Sequence, residues 1–236
     1  AAEKANLVLV DICPLETIGA LAQPLLDAGA KRVLPYRCDV SDQQQVQAMV
    51  AAAHQEFGAI HILINNAGVM RVSKFLETKA EDLDLMYKVM VKGSFFCTIE
   101  AAKTMIADGI PGKIVNMSSI GGKRPWIYSA GYCACKSAIV NLTQTAGAAL
   151  APHGINVNGI APGDHRTDML DLCYEQGAAI EGISVEEFHR QAVKAIPLGH
   201  IGTVEDISNM CLYLTSPLAD FIVGQVINVN GGSYMQ

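Results

Sequence analysis

The chain has 236 residues, half of them hydrophobic and 17% charged, and its net charge at pH 7 is −6. This length is enough for one α/β domain with a large core. The acidic balance and the lack of a Lys/Arg cluster argue against nucleic acid as a partner. No apolar run reaches about 18 residues, so the sequence predicts no transmembrane helix and no membrane partner.

Seven cysteines are scattered through apolar runs, at positions 13, 38, 97, 133, 135, 173 and 211. An odd, dispersed set is typical of free thiols in a reducing compartment, and we therefore expect a cytoplasmic protein without disulfides. Cys133 and Cys135 are two residues apart, and no other Cys or His pair has metal-ligand spacing. We therefore expect no metal site.

Short apolar strands alternate with helical segments along the whole chain. Strand patterns occupy residues 6–11, 33–36, 61–65, 113–117, 155–160 and 226–229. Helix patterns occupy residues 18–27, 49–57, 81–90, 93–107, 132–150 and 204–214, and Ser41 is the predicted N-cap of the second. This alternation predicts β-α-β units that build a doubly wound parallel sheet, in a single domain over residues 1–236.

The predicted strands end in small or hydrogen-bonding residues. In an open parallel sheet, ligands bind at the carboxyl ends of the strands. These ends carry Asp11, Asp39-Val40, Asn65-Asn66-Ala67-Gly68, Ser118-Ser119 and Pro162-Gly163. Such a row is what a flat cofactor lying across the sheet edge requires.

Ser119, Tyr132 and Lys136 form the candidate catalytic set. Tyr132 and Lys136 are four residues apart on a predicted helix, so their side chains share one face. A phenol has a pKa of about 10, and a nearby ammonium favours the phenolate, which would let Tyr132 transfer a proton at neutral pH. Ser119, thirteen residues before Tyr132, would hydrogen-bond a substrate oxygen. The alternative is a solvated surface pair without function.

This set, together with the Asn65–Gly68 turn, resembles the classical short-chain dehydrogenase/reductase family over essentially the whole chain. The resemblance implies a Rossmann-like fold in which Ser119, Tyr132 and Lys136 interconvert an alcohol and a carbonyl with a nicotinamide cofactor. It also implies which residues bind that cofactor: Asp39 and Val40 at the adenine, Asn65, Ala67 and Gly68 beside the cofactor, Tyr132 and Lys136, and Pro162, Gly163 and Thr167, of which Thr167 touches the nicotinamide amide.

Asp11 is the residue that indicates whether the cofactor is NAD or NADP. A carboxylate at the end of this strand accepts hydrogen bonds from the ribose hydroxyls and repels a 2′-phosphate. The neighbouring Ile12 and Cys13 offer no compensating cation. Asp11 therefore predicts NAD rather than NADP; the alternative is a carboxylate that only caps a turn.

Two positions depart from the family pattern. Met90 stands where the family has an Asn that serves a proton relay through the lysine, and a thioether can hardly donate or accept a hydrogen bond. His165-Arg166 stand where the family more often has an apolar residue against the nicotinamide. His165 either faces the substrate or is an ordinary loop residue.

The sequence contains no Gly-x-x-x-Gly-x-Gly turn, which in this family holds the cofactor pyrophosphate. Residues 1–5 have the pattern of the end of the helix that follows that turn. We therefore expect the first strand-turn-helix unit, about 30 residues, to be absent. Its strand belongs between the strands at 6–11 and 61–65, unless another segment fills that position.

The leading hypothesis is an NAD-dependent oxidoreductase of a secondary alcohol, most similar to family members that act on polyols and sugar alcohols. Residues 164–202 would form a substrate lid with an apolar surface from Met169, Leu170, Leu172, Tyr174 and Ile183. The alternatives are a 3-oxoacyl-thioester reductase and a non-catalytic binding or scaffold protein. Surplus apolar residues on helices 93–107 and 132–150 predict a homo-oligomer, and the family resemblance implies a tetramer.

Overall fold

The computed structural model describes residues 3–236. The predicted helix end at residues 1–5 falls partly on residues 1 and 2, which lie outside the described residues. Glu3 is in a turn, and Lys4 and Ala5 have no regular structure. Lys4 has a positive φ of 57°, which is incompatible with a right-handed helix. The helical prediction is therefore wrong for residues 3–5.

The described residues form six strands, nine α-helices and several short 3-10 turns. The strands are β1 (Asn6–Asp11), β2 (Arg32–Arg37), β3 (Ile62–Asn65), β4 (Gly112–Met117), β5 (Ile155–Pro162) and β6 (Val226–Val229). The helices are α1 (Leu15–Gly19), α2 (Ala22–Asp27), α3 (Gln43–Phe57), α4 (Ala80–Met86), α5 (Gly93–Asp108), α6 (Ala130–Leu150), α7 (Asp168–Glu181), α8 (Val185–Lys194) and α9 (Val204–Thr215). The α/β class predicted from the alternation is confirmed.

The strands are parallel but divide into two sheets. β1 pairs with β2, and β3, β4, β5 and β6 form a four-stranded sheet in that order. Within residues 3–236, no strand pairs with the second edge of β1 or of β3. The predicted parallel arrangement is confirmed, and the sheet is interrupted at the position predicted for the absent strand, which no other described segment fills.

The division of the sheet changes the burial of β3. An apolar run such as residues 61–65 is typical of a parallel strand covered on both faces, but Ile62 and Ile64 are 47% and 46% exposed. β4 and β5, which have a strand on each side, are almost completely buried. Ile62 and Ile64 are thus exposed because no described element covers them.

Two helix boundaries differ from the prediction. The segment predicted as one helix over residues 18–27 forms α1 and α2, and Gly29 follows with a φ of 105°. The N-cap of α3 is Asp42 rather than Ser41, because the Asp42 carboxylate accepts from the backbone N–H groups of Gln44 and Gln45, at 2.9 and 3.2 Å.

α4 and α5 belong to one continuous helical stretch, joined by a π-helical segment at Tyr87–Lys92. π-helical segments widen a helix by one residue per turn and often occur at functional sites. Met90 lies in this segment and is 1% exposed. The local widening therefore coincides with the position at which the sequence departs from the family pattern.

The lid predicted at residues 164–202 contains α7 and α8, and its two ends meet. His165 and Gly202 form a β-bridge, and the backbone N–H of Gly202 donates to the Asp164 carbonyl over 3.0 Å. A Cβ at Gly202 would lie 2.6 Å from the His165 ring, so only glycine permits this approach. No helix within residues 3–236 is long and apolar enough to span a membrane.

Candidate active site

One large cavity, of about 1210 Å³, lies at the carboxyl ends of the strands. It is lined by most of the residues that the sequence analysis singled out: Asp11, Ala67, Gly68, Ser119, Tyr132, Lys136, Pro162, Gly163 and Thr167. Parallel strands bring their carboxyl ends to one edge, which explains why residues more than 150 positions apart meet here. The structure thus brings the candidate catalytic set and most of the candidate cofactor-binding set into one site.

Three predicted cofactor-binding residues do not line this cavity: Asp39, Val40 and Asn65. The Asn65 amide is buried and donates to Thr98 Oγ1 and Asn116 Oδ1, at 3.0 and 2.8 Å. The Asp39 carboxylate accepts from the Ser41 backbone N–H over 2.9 Å. In this structure, these hydrogen bonds within the protein occupy the side chains of Asp39 and Asn65.

Val40 contacts the start of α5. A Cβ at Gly93 would lie 2.8 Å from a Val40 methyl group, so the glycine allows the loop after β2 to pack directly on the helix. Packing against Gly93 is therefore sufficient to account for a valine at position 40. A role in adenine binding stays a prediction.

The turn that carries Ser119 is fixed directly onto α6. Ser118 Oγ donates to the Lys136 carbonyl over 2.9 Å, and Ser137 Oγ donates to the Gly122 carbonyl over 2.8 Å. A Cβ at Gly122 would lie 2.6 Å from the Lys136 carbonyl oxygen, so any side chain there would displace the turn. Ser118 and Gly122, which the sequence analysis did not assign, therefore set the position of Ser119 relative to the helix. In the sequence, the adjacent pairs Ser118-Ser119 and Gly121-Gly122 are the pattern that could have indicated this positioning role.

Ser119 itself accepts from the Gly121 backbone N–H over 3.1 Å. Its hydroxyl hydrogen remains available for a ligand in the cavity. Burial raises the pKa of Tyr132, and the neighbouring Ser119 side chain opposes part of that rise.

Lys136 is buried at the base of the cavity, and Tyr132 beside it is partly buried. Lys136 Nζ donates to the Met117 carbonyl over 2.7 Å and lies 5.5 Å from the centroid of the Tyr132 ring. Desolvation by burial lowers the pKa of Lys136 to about 8. Burial also raises the pKa of Tyr132 well above its usual value, and this effect exceeds the lowering by Ser119.

The sequence analysis expected the Lys136 ammonium to favour the Tyr132 phenolate. In the structure, burial of the phenol has the larger effect, and the pKa of Tyr132 moves upward. The physical reason is that both groups lie away from water, where each charged form is disfavoured. The ammonium lies over the face of the ring and is hydrogen-bonded to the backbone.

Met90 packs in a buried apolar cluster with Met86, Val91 and Cys135, against the Tyr132 ring. Its sulfur lies 3.9 Å from the position that a Cβ on Gly68 would occupy, and Lys136 Nζ is equally close to that point. Met90 therefore makes the surroundings of Lys136 apolar, which is consistent with the lowered pKa of that lysine.

His165, the second departure, lies at the base of the lid. Its Nδ1 is 3.0 Å from the Gly163 carbonyl, and its ring packs on Gly202. His165 is 8% exposed and lines the edge of the cavity. The geometry explains His165 chiefly by its contacts within the lid base.

Asp11 lies at the far end of the cavity, where β1 ends. Its carboxylate accepts from the Cys13 backbone N–H over 3.0 Å, and this bond holds the pKa of Asp11 below its usual value. Arg37 is its register partner on β2, and Arg37 Nε donates to the Ile12 carbonyl over 3.1 Å. The sequence analysis found no cation next to Asp11 along the chain, but pairing of β1 with β2 brings one close.

The lid side of the cavity is rich in aromatic residues. Tyr128 packs edge-to-face on Phe188, which packs on Tyr174. Tyr128 Oη donates to Glu181 over 2.9 Å, and Tyr174 Oη donates to Asp164 over 3.0 Å. Of the apolar lid residues predicted, Met169, Leu170 and Tyr174 line the cavity. Leu172 and Ile183 do not, and Leu172 is 46% exposed.

Comparison with known proteins identifies the relatives of the chain. A family model described as enoyl-(acyl carrier protein) reductase matches residues 1–234. Sorbitol dehydrogenase of Cereibacter sphaeroides is 38% identical over 233 residues, covering 99% of this chain and 89% of the relative. Galactitol 2-dehydrogenase of Agrobacterium fabrum is 35% identical over 237 residues, covering 100% and 90%. A 3-oxoacyl-(acyl-carrier-protein) reductase of Staphylococcus aureus is 34% identical over 199 residues, covering 84% and 76%.

Solved structures show the same fold. An NAD⁺-bound xylitol dehydrogenase has a TM-score of 0.93 at 26% identity, covering 98% of this chain and 90% of that chain. A gluconate 5-dehydrogenase from Burkholderia cenocepacia, in complex with NADP and tartrate, has a TM-score of 0.85 at 30% identity, covering 96% and 84%. The chain therefore belongs to the short-chain dehydrogenase/reductase family, whose members are oxidoreductases that use a nicotinamide cofactor.

Proposed function

We propose that this protein is an NAD-dependent dehydrogenase that interconverts a secondary hydroxyl of a polyol or sugar alcohol and the corresponding ketone. The observation that carries the proposal is the arrangement of Ser119, Tyr132 and Lys136 on one cavity that extends to Asp11. The relatives named as sorbitol and galactitol dehydrogenases support the substrate class.

The residues of the cavity fit a nicotinamide cofactor at its two ends. Asp11 offers a carboxylate for a ribose, and Gly163 and Thr167 line the opposite end. Ala67 and Gly68, between them, leave room for a ligand against the strand ends. The pyrophosphate is the part for which the 236-residue sequence supplies no glycine-rich turn. When bound, NAD accepts a hydride from the alcohol carbon.

Tyr132 is the proposed acid/base. In alcohol oxidation, the phenolate takes the hydroxyl proton of the substrate, and in ketone reduction the phenol returns it. Burial raises the pKa of Tyr132, so the group needs a stabilising partner to act near neutral pH. The single hydroxyl hydrogen of Ser119 stabilises the phenolate in the absence of substrate and would be donated to the substrate oxygen when substrate is bound.

Lys136 is the proposed source of the remaining stabilisation. Its pKa of about 8 keeps it mostly charged at pH 7. One of its three N–H groups is committed to the Met117 carbonyl, which leaves two for ligands. We propose that one of them binds the nicotinamide ribose, as implied by the family resemblance.

The preference for NAD over NADP is proposed from Asp11, whose carboxylate is kept ionised and would repel a 2′-phosphate. The xylitol dehydrogenase structure with NAD⁺ supports this choice, whereas the gluconate dehydrogenase structure holds NADP. We give more weight to Asp11 because it belongs to this chain.

A 3-oxoacyl-thioester reductase is the second candidate, favoured by the Staphylococcus aureus relative. Asp11 counts against it in the same way as above, and the net charge of −6 offers little attraction for an acidic carrier protein. The two functions differ in substrate and share the proposed catalytic residues.

The proposal is tested by incubating the full-length protein with NAD or NADP and a panel containing sorbitol, galactitol, xylitol and a 3-oxoacyl thioester. Reduced cofactor is followed by absorbance. Oxidation of a polyol with NAD supports the proposal, and turnover of the thioester alone supports the second candidate. Binding of cofactor without turnover of any substrate would favour a non-catalytic protein.

A further inference from the structure

Two hydrogen-bond donors on the cavity wall have no role in the proposed reaction: the Arg124 guanidinium and the Ser233 hydroxyl. Arg124 lies just after the Ser119 turn, and its backbone N–H donates to the Ile120 carbonyl over 2.9 Å. Ser233 belongs to the C-terminal tail that follows β6. The two residues meet on the same side of the cavity as Gly163.

The Arg124 guanidinium has spare hydrogen-bonding capacity. One terminal nitrogen of Arg124 donates to the Ser233 backbone carbonyl over 3.3 Å, which is a long hydrogen bond. Among residues 3–236, no carboxylate lies within ion-pair distance of Arg124. A guanidinium carries five N–H donors in a planar fork, so most of its capacity faces open space.

The Ser233 hydroxyl is unusual in its own right. In the part of the chain that the structure describes, Ser233 Oγ is the one buried side-chain oxygen or nitrogen without a hydrogen-bond partner. Native proteins pair nearly all such atoms, and an exception calls for an explanation. Its position, 3.4 Å from where a Cβ on Gly163 would lie, puts it at the end of β5. Ser233 lines the cavity, so rotation of its side chain would let a ligand there satisfy the hydroxyl.

Hydrogen bonds hold this corner in place. Tyr234 Oη donates to the Lys123 carbonyl over 3.1 Å, and Lys123 Nζ donates to Asn228 Oδ1 over 2.8 Å. Asn230 Nδ2 donates to the Tyr234 carbonyl over 2.7 Å. The tail and the loop after Ser119 are therefore joined on both sides of the Arg124–Ser233 pair, which reduces the entropy lost on binding.

The charges nearby leave Arg124 as the cation available to a substrate. Lys136 is buried and bonded to Met117, and the Asp164 carboxylate accepts from Tyr174. Asp11 lies at the opposite end of the cavity, at β1. A guanidinium next to an unpaired hydroxyl binds an anionic group of a substrate more tightly than it binds an uncharged substrate hydroxyl. The reason is that two or more oxygens of the anion accept charge-assisted hydrogen bonds.

We propose that Arg124 and Ser233 form an oxyanion subsite that binds the end of the substrate remote from the reacting carbon. The substrate is then an anionic polyol, with a carboxylate or a phosphate monoester as the anionic group. This inference rests on the proposed function and narrows its substrate class from polyols in general to charged ones.

The test compares substrates that share a six-carbon chain: sorbitol, gluconate and sorbitol 6-phosphate. Initial rates with NAD are measured for the wild type, Arg124→Gln, Ser233→Ala and the control Arg32→Gln, which replaces an exposed arginine outside the cavity. We expect the wild type to prefer one anionic substrate over sorbitol in kcat/KM. Arg124→Gln should lower kcat/KM for that anion by about 10- to 100-fold, mainly through KM.

Ser233→Ala should have a smaller effect in the same direction, and Arg32→Gln none. Preference for gluconate would identify a carboxylate, and preference for the phosphate ester would identify a phosphate. Equal use of sorbitol and both anions, or an equal loss for all three in Arg124→Gln, would overturn the subsite.

A binding measurement separates this inference from the proposed function. Calorimetry with gluconate and sorbitol 6-phosphate is carried out on the wild type and Arg124→Gln, with NADH present. If no polyol is oxidised but an anion binds the wild type at least tenfold more tightly than the variant, the function fails and the subsite stands. If neither anion binds the wild type more tightly than sorbitol does, the subsite is wrong.

Discussion

Lys136 donates from Nζ to the Met117 carbonyl, over 2.7 Å, while its ammonium lies 5.5 Å from the centroid of the Tyr132 ring. The lysine is thus held by the backbone of β4 and directed across the face of the tyrosine that it is proposed to activate. Both residues lie on the same face of α6, and burial is the largest cause of the shifted pKa of each: it raises the pKa of Tyr132 and lowers that of Lys136.

Replacement of Tyr132 by Phe keeps the ring in the apolar cluster with Met90 and removes the acidic proton. We expect turnover to fall by about 10²–10⁴-fold, as is typical for the loss of a general acid/base, with little change in folding. Steady-state rates with NAD and the best polyol substrate measure turnover, and a thermal melt measures folding. Near-full activity in a folded Tyr132→Phe variant contradicts the proposed role.

Replacement of Lys136 by Met removes a buried cation. The pKa of Lys136 in the folded protein, about 8, lies below its ordinary value of 10.5, so between these pH values the unfolded chain binds more protons. The free energy of unfolding of the wild type should therefore rise with pH over that window, and Lys136→Met should lose this rise. The variant should also shift the activity–pH profile to higher pH, because Tyr132 loses its cation.

Thermal melts between pH 7 and 9.5 check the stability effect, with Lys74→Met as a control at an exposed position. The difference in Tm between the wild type and Lys136→Met should change steadily in favour of the wild type as pH increases. A constant difference in Tm would contradict the lowered pKa of Lys136, and an unmoved activity–pH profile would show that the lysine is not coupled to Tyr132.

Asp11 and Arg37 have opposite expected effects on cofactor choice. Asp11→Ser removes the repulsion of a 2′-phosphate, and Arg37 on the paired strand then supplies a cation for it. We expect Asp11→Ser to narrow the preference for NAD, and Asp11→Ser/Arg37→Gln to show less use of NADP than the single variant. The ratio of kcat/KM values for the two cofactors is the measurement. Equal use of NADP by the wild type would refute the interpretation of Asp11.

The exposed face of α5 predicts self-association. Phe95, Ile99 and Ile106 are 44%, 41% and 41% exposed, and their spacing puts them on one side of the helix. We expect a homotetramer, with a second copy of the chain covering this face, and we expect Ile99→Glu to reduce the measured mass. Light scattering at micromolar concentration measures the mass of the wild type, of Ile99→Glu and of the control Gln55→Glu, which lies on the exposed side of α3. A monomeric wild type would overturn this prediction.

The sequence predicted most elements and the convergence of Ser119, Tyr132 and Lys136 because these depend on local pattern. Strand ends are visible as small polar residues after apolar runs, and Tyr132 and Lys136 share a helix face by spacing alone. The pairing of β1 with β2 was needed to bring Arg37 towards Asp11. The contacts of Ser118 and Gly122 with Lys136 were equally invisible, because they join segments whose approach is set by the fold.

The sequence also did not predict the direction of the Tyr132 pKa. The spacing of Tyr132 and Lys136 indicates that they are neighbours but says nothing about water. Burial of the pair is a property of the surrounding cluster, which includes Met90 from the π-helical segment. Similarly, Arg124 and Ser233 lie more than 100 residues apart, and only the folded tail brings them together.

The open edges of β1 and β3 give the last prediction. Each strand has one partner, and its remaining N–H and C=O groups face a position that no strand among residues 3–236 occupies. If these groups were buried and unpaired, each would cost about 1–3 kcal/mol, and several would exceed the 5–15 kcal/mol stability of an ordinary domain. Ile62 and Ile64 project from one face of β3, and their exposure indicates that water reaches that face of the strand next to its open edge.

We therefore expect β1 and β3 to be the weak part of the sheet in a protein made of these 236 residues. Amides of β1 and β3 that point away from their one partner should exchange hydrogen at least about 100-fold faster than those of β4, which is paired on both sides. Hydrogen exchange followed by NMR measures this directly, and the amides of β4 serve as the internal reference. The exposed edge should also promote aggregation, because unpaired strands bind other strands. Protection of β3 equal to that of β4 would mean that another strand pairs there, and a cooperative thermal transition raised by NAD would then show that the cofactor site is complete.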